Sequence, residues 1–327
     1  MKDITVSGVR PTGKQHLGNY LGAVSNFVKM QDDYKCFFFI ADLHSLTTHP
    51  KAADLKANVR QTLIEYLACG LDPEKCTIYA QSSVPQVSEL YVILNMLAHM
   101  GELQKVPTFK EKIRGDESIN AGLLTYPVLM AADILIHHAT KVPVGRDQMQ
   151  HIEMVRNFAN RFNHTYGVKY FKEPYGFTFG EDAVSIPSLT GDGKMSKSKG
   201  EDTVIYLVDT PEQIKKKINK IASVTPTEPG QEKPTGVRTL FELMKLVSSK
   251  DAIAFYEEQY NALSIRYGDM KKQITEDMVR FTGPINERVK ELESKPGYLL
   301  RVLEQGGEAA RESAKDTLAD VQRFIGI

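Results

Sequence analysis

The stretch ITVSGVRPTGKQHLGNYLGAV, residues 4–24, combines the features that decide the fold of this chain. An apolar, β-branched run ends at Val9, and a turn built on the proline and glycine of residues 11–13 follows it. From Leu17 to Met30 the apolar residues recur with helical spacing. A strand that passes through a tight turn into a helix is the first half of a βαβ unit, so the stretch favours a parallel sheet.

The same alternation of strand and helix repeats along the first half of the chain. The runs KCFFFIADL, CTIYAQ and KVPVG each precede a helical pattern, at residues 55–67, 89–100 and 148–162. This order predicts an α/β fold with a Rossmann-like, doubly wound parallel sheet covered by helices on both faces. Ligands of such sheets bind at the carboxyl ends of the strands, where the loops after Val9, Asp42 and Val144 are expected.

The second part of the chain has a different character, with one helical pattern after another. The patterns are broken by Pro and Gly and cover residues 211–222, 238–247, 251–263, 269–292 and 298–324. We therefore predict two domains, an α/β catalytic domain at 1–200 and a smaller all-helical domain at 201–327. The last helix is able to pack back on the first domain.

Composition limits the classes of protein to consider. The chain has 327 residues, and its 41 basic and 41 acidic side chains cancel, so no global field attracts a polyanion. The cluster KKKINK at 215–220 has the composition of a solvated helix face. No long apolar run or leader-like segment occurs, which indicates a cytoplasmic protein. Cys36, Cys69 and Cys76 lack metal-ligand spacing and are expected to be buried free thiols.

The four residues HLGN lie where the first helix is expected to begin. The free N–H groups of a helix N-terminus form an anion site, and a glycine at position 18 lets a nucleotide approach the backbone. His16 and Asn19 are one helical turn apart and add two neutral donors to one face, which suits a phosphate that gains charge during transfer. The same residues also suit a plain polar helix start, so the motif alone is ambiguous.

A second motif, KMSKS at residues 194–198, resolves that ambiguity. Its loop is flanked by glycines, and Lys194 and Lys197 carry ammonium groups beside serine hydroxyls. A mobile loop of this kind can close over a triphosphate and neutralise departing pyrophosphate. A solvated basic loop is the alternative for the pentapeptide alone, but its combination with HLGN behind a strand favours a nucleotide site.

The block TYPVLMAADIL predicts a pocket for a flat ring. On a helix that begins at Pro127, Tyr126, Met130 and Asp133 fall at i, i+4 and i+7 and share one face. An apolar slot that ends in one carboxylate suits an aromatic ligand with an N–H donor, such as indole. It rejects phenylalanine, which would leave the carboxylate buried and unpaired. A buried aspartate that is satisfied by a helix N-terminus is the structural alternative.

Taken together, these blocks resemble the bacterial-type tryptophanyl-tRNA synthetases, a family of class I aminoacyl-tRNA synthetases. The resemblance extends from SGVRPTGKQHLGNYLGA through GELQKVPTFKEK, AGLLTYPVLMAADIL and VPVGRDQMQHIE to KMSKSKG, and is weaker in the helical tail. HLGN then corresponds to the H-x-G-H motif of class I, with Asn19 in the place of the final histidine.

The resemblance implies a reaction and its partners. Tryptophan would be activated by ATP with Mg²⁺ to an adenylate and pyrophosphate, and then transferred to the 3′-terminal ribose of tRNA(Trp). The helical domain would carry anticodon contacts and the protein would be a homodimer. Neither zinc nor an iron–sulfur cluster is expected.

The resemblance also assigns site residues. Catalytic roles are implied for His16, Asn19, Lys112, Lys194 and Lys197. ATP contacts are implied for Arg10, Pro11, Thr12, Gly18, Asn19, Gly145, Arg146, Asp147, Ile186, Lys194, Met195, Ser196, Lys197 and Ser198. Tryptophan contacts are implied for Asp133, Met130, Tyr126, Gln148, His44 and Gly8. For His151 and Glu153 we expect helix-surface positions instead.

Two departures and three alternatives accompany this interpretation. The family often has an aromatic residue where Val6 stands and a glutamine where Arg10 stands, so the pocket wall and an ATP contact differ here. A tyrosyl-tRNA synthetase shares the fold and both motifs but needs polar groups for a phenol. A small-molecule nucleotidyltransferase usually lacks the helical tail. A paralogue that binds nucleotide or RNA without catalysis is the third alternative.

Overall fold

The structure is a computed structural model that describes residues 2–107, 109–110, 119–145, 148–177, 186–197 and 200–327. Lys112, Arg146, Asp147 and Ser198 lie outside the described residues. The strands are β1 (Ile4–Val9), β2 (Lys35–Ile40), β3 (Thr77–Ala80), β4 (Lys141–Pro143) and β5 (Tyr175–Phe177). The described helices are α1 (Leu17–Asn19), α2 (Ser25–Met30), α3 (Asp42–Ser45), α4 (Ala52–Ala68), α5 (Pro85–Met96), α6 (Met100–Leu103), α7 (Ala121–Leu135), α8 (Met149–Thr165), α9 (Pro211–Asn219), α10 (Thr235–Val247), α11 (Lys250–Asn261), α12 (Tyr267–Glu293) and α13 (Pro296–Ile325).

The five strands form one parallel sheet in the order β3-β2-β1-β4-β5. In β2, every residue from Cys36 to Ile40 is buried, as expected for a strand that helices cover on both faces. The predicted α/β, Rossmann-like fold is therefore confirmed. β5 was not predicted, because three residues with a central glycine give no apolar pattern that sequence reasoning can detect.

Helix α7 begins earlier than predicted. The expected start at Pro127 is wrong, since the helix begins at Ala121 and contains Pro127 in its interior. Asn120 caps it, and its side-chain oxygen accepts a hydrogen bond of 2.9 Å from the backbone N–H of Leu123. A strong N-cap seven residues upstream of Pro127 thus outweighs the cost of an internal proline. Tyr126, Met130 and Asp133 share a helix face in this register too.

The helical segment from Leu17 to Met30 is interrupted. A π-helical turn, Tyr20–Val24, separates α1 from α2 where the sequence predicted one regular helix. Single π-helical turns within α-helices occur frequently at functional sites.

The described residues form two compact units. Unit 1 draws on Met1–Gly13, Asn26–Ala183 and Lys295–Ile327, and unit 2 on Lys14–Ser25 and Val184–Ser294. α13 packs closely on the sheet of unit 1, because a Cβ atom at Gly306 would overlap the carbonyl oxygen of Ile78. These bounds differ from the division expected at residue 200. The functional boundary at that point stays a prediction.

Two further expectations concern the cysteines and membranes. All three cysteines are free, but Cys69 is partly exposed, whereas Cys36 and Cys76 are buried. Burial raises the pKa of both buried thiols to about 12. None of the helices in the described part of the chain is both long and apolar enough to span a membrane.

Candidate functional site

His16 is the N-cap of α1 in unit 2. Its backbone is extended, and its Nδ1 accepts a hydrogen bond of 3.3 Å from the backbone N–H of Asn19. In return, the side-chain oxygen of Asn19 accepts from the backbone N–H of His16 at 3.2 Å, which completes a capping box. Because Nδ1 accepts, the proton of the neutral imidazole lies on Nε2. The HLGN motif therefore presents an N–H donor in a fixed orientation.

Gly18 leaves space for that imidazole. A Cβ atom at position 18 would lie 2.8 Å from both Cε1 and Nδ1 of His16, closer than side-chain atoms approach each other. The sequence predicts that Gly18 lets a nucleotide approach the backbone. The structure adds a second reason for glycine here, because a side chain at position 18 would collide with the ring of His16.

The backbone on both sides of His16 is held by one extended segment. The N–H of Leu17 donates to the carbonyl of Ile205 at 2.9 Å, and the N–H of Leu207 donates to the carbonyl of Gln15 at 3.0 Å. These two hydrogen bonds bracket His16 and fix the position from which its side chain extends.

A buried ion pair supports that segment. Lys217 lies 2.6 Å from the carboxylate of Asp209, which also accepts from the backbone N–H of Tyr206 at 2.9 Å. The expectation that KKKINK is wholly a solvated face is therefore wrong for Lys217, which is buried and lies over the ring of Tyr206. Its partner is eight residues away on the preceding loop, so the cluster alone did not reveal the pair.

The KMSKS segment is anchored at its first residues. The N–H of Met195 donates to the carbonyl of Ile186 at 2.8 Å, and the N–H of Ser188 donates to that of Gly193 at 2.8 Å. The side chains of Ile186 and Met195 are buried, whereas Lys194 is exposed. The loop thus has an apolar attachment and a cationic outer side, with Ser196 and Lys197 following it.

The electrostatics of this site favour an anion. Burial, together with the positive charges of Lys197 and Lys194, lowers the pKa of His16 to about 4. The imidazole is therefore neutral at pH 7 and donates a hydrogen bond without carrying charge. Among the described residues no group of three or more His, Cys, Asp or Glu side chains could hold a metal ion.

A second site lies in unit 1, around Asp133. Asp133 is 1% exposed on α7, on the face that it shares with Tyr126 and Met130. The amide nitrogen of Gln81 donates to its two carboxylate oxygens at 3.0 and 2.7 Å. Burial raises the pKa of Asp133 well above its usual range, and the hydrogen bond from Gln81 opposes that shift.

His44 joins the same network. Its Nδ1 lies 2.9 Å from the amide nitrogen of Gln81 and 3.8 Å from the carboxylate of Asp133. Burial lowers the pKa of His44 to about 4, so its imidazole is also neutral. Sequence reasoning missed Gln81, although it directly follows β3 just as helix α3, which carries His44, follows β2. The rule that ligands bind at the carboxyl ends of parallel strands was the signal that could have found it.

His151 is part of this neighbourhood, and its expected place on the helix surface is wrong. It is 5% exposed, and its Nε2 lies 2.7 Å from the hydroxyl of Tyr126. Position 151 continues the buried stripe of α8 through Val155 and Phe158, a spacing that predicts burial. Glu153 is exposed as expected and is paired with an arginine of the next turn.

Gly8 and Gly145 differ in what surrounds them. A Cβ atom at Gly8 would lie 2.5 Å from the ring of Phe39, so glycine at this position accommodates that ring. The carbonyl of Gly145 accepts from the backbone N–H of Gln148 at 2.9 Å, just before α8. Val6 is fully buried in the core of the sheet.

The turn after β1 carries three of the expected ATP contacts. Arg10 is exposed and donates to the hydroxyl of Thr48 at 3.1 Å. The backbone N–H of Thr12 donates to the carbonyl of Arg10 at 2.9 Å, and Pro11 between them is buried. The structure gives these residues a defined turn, and their nucleotide contacts stay predictions.

Comparisons with known sequences agree along the whole chain. The family model described as tRNA synthetases class I (W and Y) matches residues 2–282. The tryptophan–tRNA ligase of Porphyromonas gingivalis is 53% identical over 326 residues, which cover 99% of this chain and 99% of the relative. That of Fusobacterium nucleatum is 37% identical over 324 residues, which cover 99% and 98%.

Solved structures give the same result. The tryptophanyl-tRNA synthetase of Campylobacter jejuni, in complex with ADP and tryptophan, superposes with a TM-score of 0.88 at 31% identity. The match covers 99% of this chain and 100% of that one. The tryptophanyl-tRNA synthetase of Mycoplasma pneumoniae gives a TM-score of 0.83 at 31% identity, with 100% and 98% covered.

Proposed function

The chain belongs to the class I tRNA synthetases for tryptophan and tyrosine, and from that premise we infer that it catalyses tryptophan–tRNA ligation. It activates L-tryptophan with ATP to tryptophanyl-adenylate and pyrophosphate, and transfers the tryptophanyl group to tRNA(Trp). The observation that carries the choice of amino acid is the buried Asp133 carboxylate on an otherwise apolar helix face.

Activation is a displacement at phosphorus. A carboxylate oxygen of tryptophan forms a bond to the α-phosphorus of ATP, and the bond from that phosphorus to the bridging oxygen breaks. The electron pair leaves with pyrophosphate. The substrate supplies the nucleophile, so the protein contributes positioning and electrostatic stabilisation.

The groups that stabilise this charge belong to unit 2. The Nε2–H of His16 donates to a phosphate oxygen, and Lys194 and Lys197 neutralise pyrophosphate as it departs. A neutral imidazole at position 16 fits this task, because it donates its hydrogen bond throughout the reaction and no proton has to be transferred. The backbone N–H of Gly18 adds a further donor, whereas that of Asn19 is engaged by Nδ1 of His16.

Mg²⁺ accompanies ATP in this proposal. The described residues beside His16 supply ammonium groups and no cluster of carboxylates, so phosphate oxygens and water would hold the ion. When bound, Mg²⁺ supplies further charge neutralisation.

Selection of tryptophan depends on unit 1. Asp133 accepts the indole N–H, while Tyr126 and Met130 line the slot for the ring. A phenylalanine side chain leaves the carboxylate buried without a partner, a loss of several kcal/mol in a site built for a donor (about 1–3 kcal/mol per unpaired group, more when charged). This discrimination needs no separate editing domain.

The remaining predictions concern transfer of the tryptophanyl group to tRNA, the assembly of the protein and its location in the cell. The helical part downstream of residue 200 contacts the anticodon, the terminal ribose is esterified at its 2′-hydroxyl, and the protein acts as a homodimer in the cytoplasm. These assignments rest on the family.

ATP–pyrophosphate exchange, measured separately with each of the twenty amino acids, tests the proposal. Exchange with tryptophan alone is the expected result. Exchange with tyrosine alone would keep the family and overturn the assignment of the pocket, and absence of exchange with all twenty would overturn the activation chemistry. Charging of tRNA(Trp) and sedimentation of the protein test the transfer step and the dimer.

A further inference from the structure

Gln81 is hydrogen bonded at both ends of its side-chain amide in the pocket of unit 1. It is fully buried directly after β3. Its side-chain oxygen accepts a hydrogen bond of 3.2 Å from the backbone N–H of His44. Its nitrogen reaches Nδ1 of His44 and both oxygens of Asp133, at 2.7 to 3.0 Å.

One of these contacts fixes the orientation of the amide. A backbone N–H can only donate, so the atom that meets the N–H of His44 has to be the amide oxygen of Gln81. The other end of the amide is then the NH₂ group, which offers two hydrogens and no lone pair. The positions of the amide oxygen and nitrogen of Gln81 therefore follow from the hydrogen bond to the backbone N–H of His44.

The protonation states of the neighbours follow from this orientation. Because the NH₂ group donates to Nδ1 of His44, that nitrogen has to be unprotonated, and the imidazole carries its proton on Nε2. Because the same group donates toward both oxygens of Asp133, it favours the ionised carboxylate, which accepts at each of them.

We propose that Gln81 is a positioning residue for amino-acid selection, because its fixed amide favours the ionised form of Asp133 and holds His44 in the Nε2–H tautomer. The ionised carboxylate is an acceptor of full charge and selects a ring that donates a hydrogen bond. The inference rests on the proposed function, since it names what makes Asp133 ready for the indole N–H.

Charged and titratable groups on every surrounding element bear on this balance. The negative charge of Asp42 on α3 disfavours the ionised form of Asp133. The positive charge of Arg10 after β1 disfavours the protonated form of His44. Tyr79 on β3 is buried, its pKa is raised by that burial, and its hydroxyl bonds to His137. Tyr126 and His151 bond to each other.

Against these groups, the hydrogen bond from Gln81 lowers the pKa of Asp133 and so opposes the effect of its burial. Burial alone pushes the carboxyl toward its neutral form, and Asp42 acts in the same direction. Without the amide, the pKa of Asp133 would rise further, and the carboxyl would ionise only at a higher pH.

Two substitutions at position 81 test this to different degrees. Gln81→Met keeps the size and removes both donors, so tryptophan affinity falls about tenfold to a hundredfold and recovers as the pH rises from 6 to 9 and Asp133 ionises. Gln81→Glu places a second carboxyl beside Asp133, and the pair shares one proton. Its tryptophan affinity therefore recovers only at a higher pH than that of Gln81→Met, because the shared proton has to be lost before Asp133 carries a full charge.

The readouts are the dissociation constant for tryptophan and the KM for ATP, each measured across that pH range. The rise of tryptophan affinity with pH is expected at a lower pH in wild type than in either variant, and the KM for ATP is expected to be unchanged in both variants. Gln31→Met is the matched control, since Gln31 is also buried and also bonds at both ends, to Gly70 and Asp72. A merely structural role predicts that the control and Gln81→Met weaken stability alike, with the pH profile of wild type, and that result overturns the proposal.

A measurement on the wild-type protein needs no variant to fold. The ¹⁵N chemical shifts of His44 report which ring nitrogen carries the proton, and the Nε2–H tautomer is expected. An Nδ1–H tautomer would overturn the proposal. Wild-type pyrophosphate exchange with tryptophan is run beside it, so a failure of the proposed function shows as lost exchange and a failure of the Gln81 role does not.

Discussion

The two sites differ in how their polar groups are satisfied. In unit 1, Asp133, Gln81 and His44 are hydrogen bonded to one another inside a buried pocket. In unit 2, Nδ1 of His16 accepts a hydrogen bond from the backbone of Asn19, and Lys194 extends from an anchored loop into solvent. Buried, mutually satisfied groups are costly to rearrange, so they suit the choice of a ligand. Exposed cations can follow a charge that moves during reaction, so they suit catalysis.

The two histidines show the same contrast. Burial lowers the pKa of His44 and that of His16 to about 4, so both are neutral at pH 7. Lysine charges contribute at His16, whereas a hydrogen bond from Gln81 defines the tautomer at His44. One histidine is a donor next to cations, and the other is part of a hydrogen-bond chain that ends on a carboxylate.

The largest expected effect comes from the exposed site. Lys194→Ala or Lys197→Ala should lower the rate of tryptophan activation about 10²- to 10³-fold, because a preorganised charge is lost where pyrophosphate departs. Tryptophan affinity should change little. Single-turnover formation of the adenylate, with tryptophan binding measured separately, distinguishes the two. Lys215→Ala on the solvated face of α9 is the control, and a wild-type rate in Lys194→Ala would break the comparison.

The pocket should show the reverse pattern. Asp133→Asn keeps the size of the side chain and removes its charge, so the KM for tryptophan should rise about tenfold to a hundredfold. The KM for ATP should stay near that of wild type, as steady-state pyrophosphate exchange can show.

The control for this change is Asp32→Asn, since Asp32 is an exposed aspartate paired with Lys75. If Asp133→Asn lowered the activation rate at saturating tryptophan and left its KM unchanged, the division of labour between the two sites would be wrong.

The sequence allowed much of this contrast to be predicted, for a physical reason. Long apolar runs identify β1 and β2, and the charged or glycine-rich motifs identify the residues around His16, because local composition carries both signals. Gln81 belongs to no motif, and its role exists only because the parallel sheet brings the end of β3 beside the end of β2. The buried ion pair of Lys217 likewise depends on Asp209, which lies outside the KKKINK cluster, whereas burial of His151 follows from its helical spacing with Val155 and Phe158.

A smaller effect tests why the HLGN motif has glycine at its third position. Gly18→Ala places a methyl group against the imidazole of His16, so the ring has to turn and its donor is misplaced. The activation rate should fall about tenfold, with tryptophan affinity unchanged. Gly22→Ala is a matched control on the next turn, since a Cβ atom there meets nothing within 4 Å. Equal rates in the two variants would show that the ring is not confined.

The smallest expected effect concerns acid stability and shows how far the buried hydrogen-bond chemistry of unit 1 extends beyond its pocket. His137 is fully buried between the hydroxyls of Tyr79 and Ser313, and burial lowers its pKa to about 3. An unfolded chain binds a proton at this histidine near pH 6.5, and the folded chain does not. The free energy of unfolding therefore decreases as the pH falls below about 7, by about 1 kcal/mol from this group between pH 7.5 and pH 6.

His137→Gln should remove that portion of the slope in urea unfolding. His164→Gln is the control, because His164 is exposed. Identical slopes in the two variants would mean that His137 is not held neutral by burial.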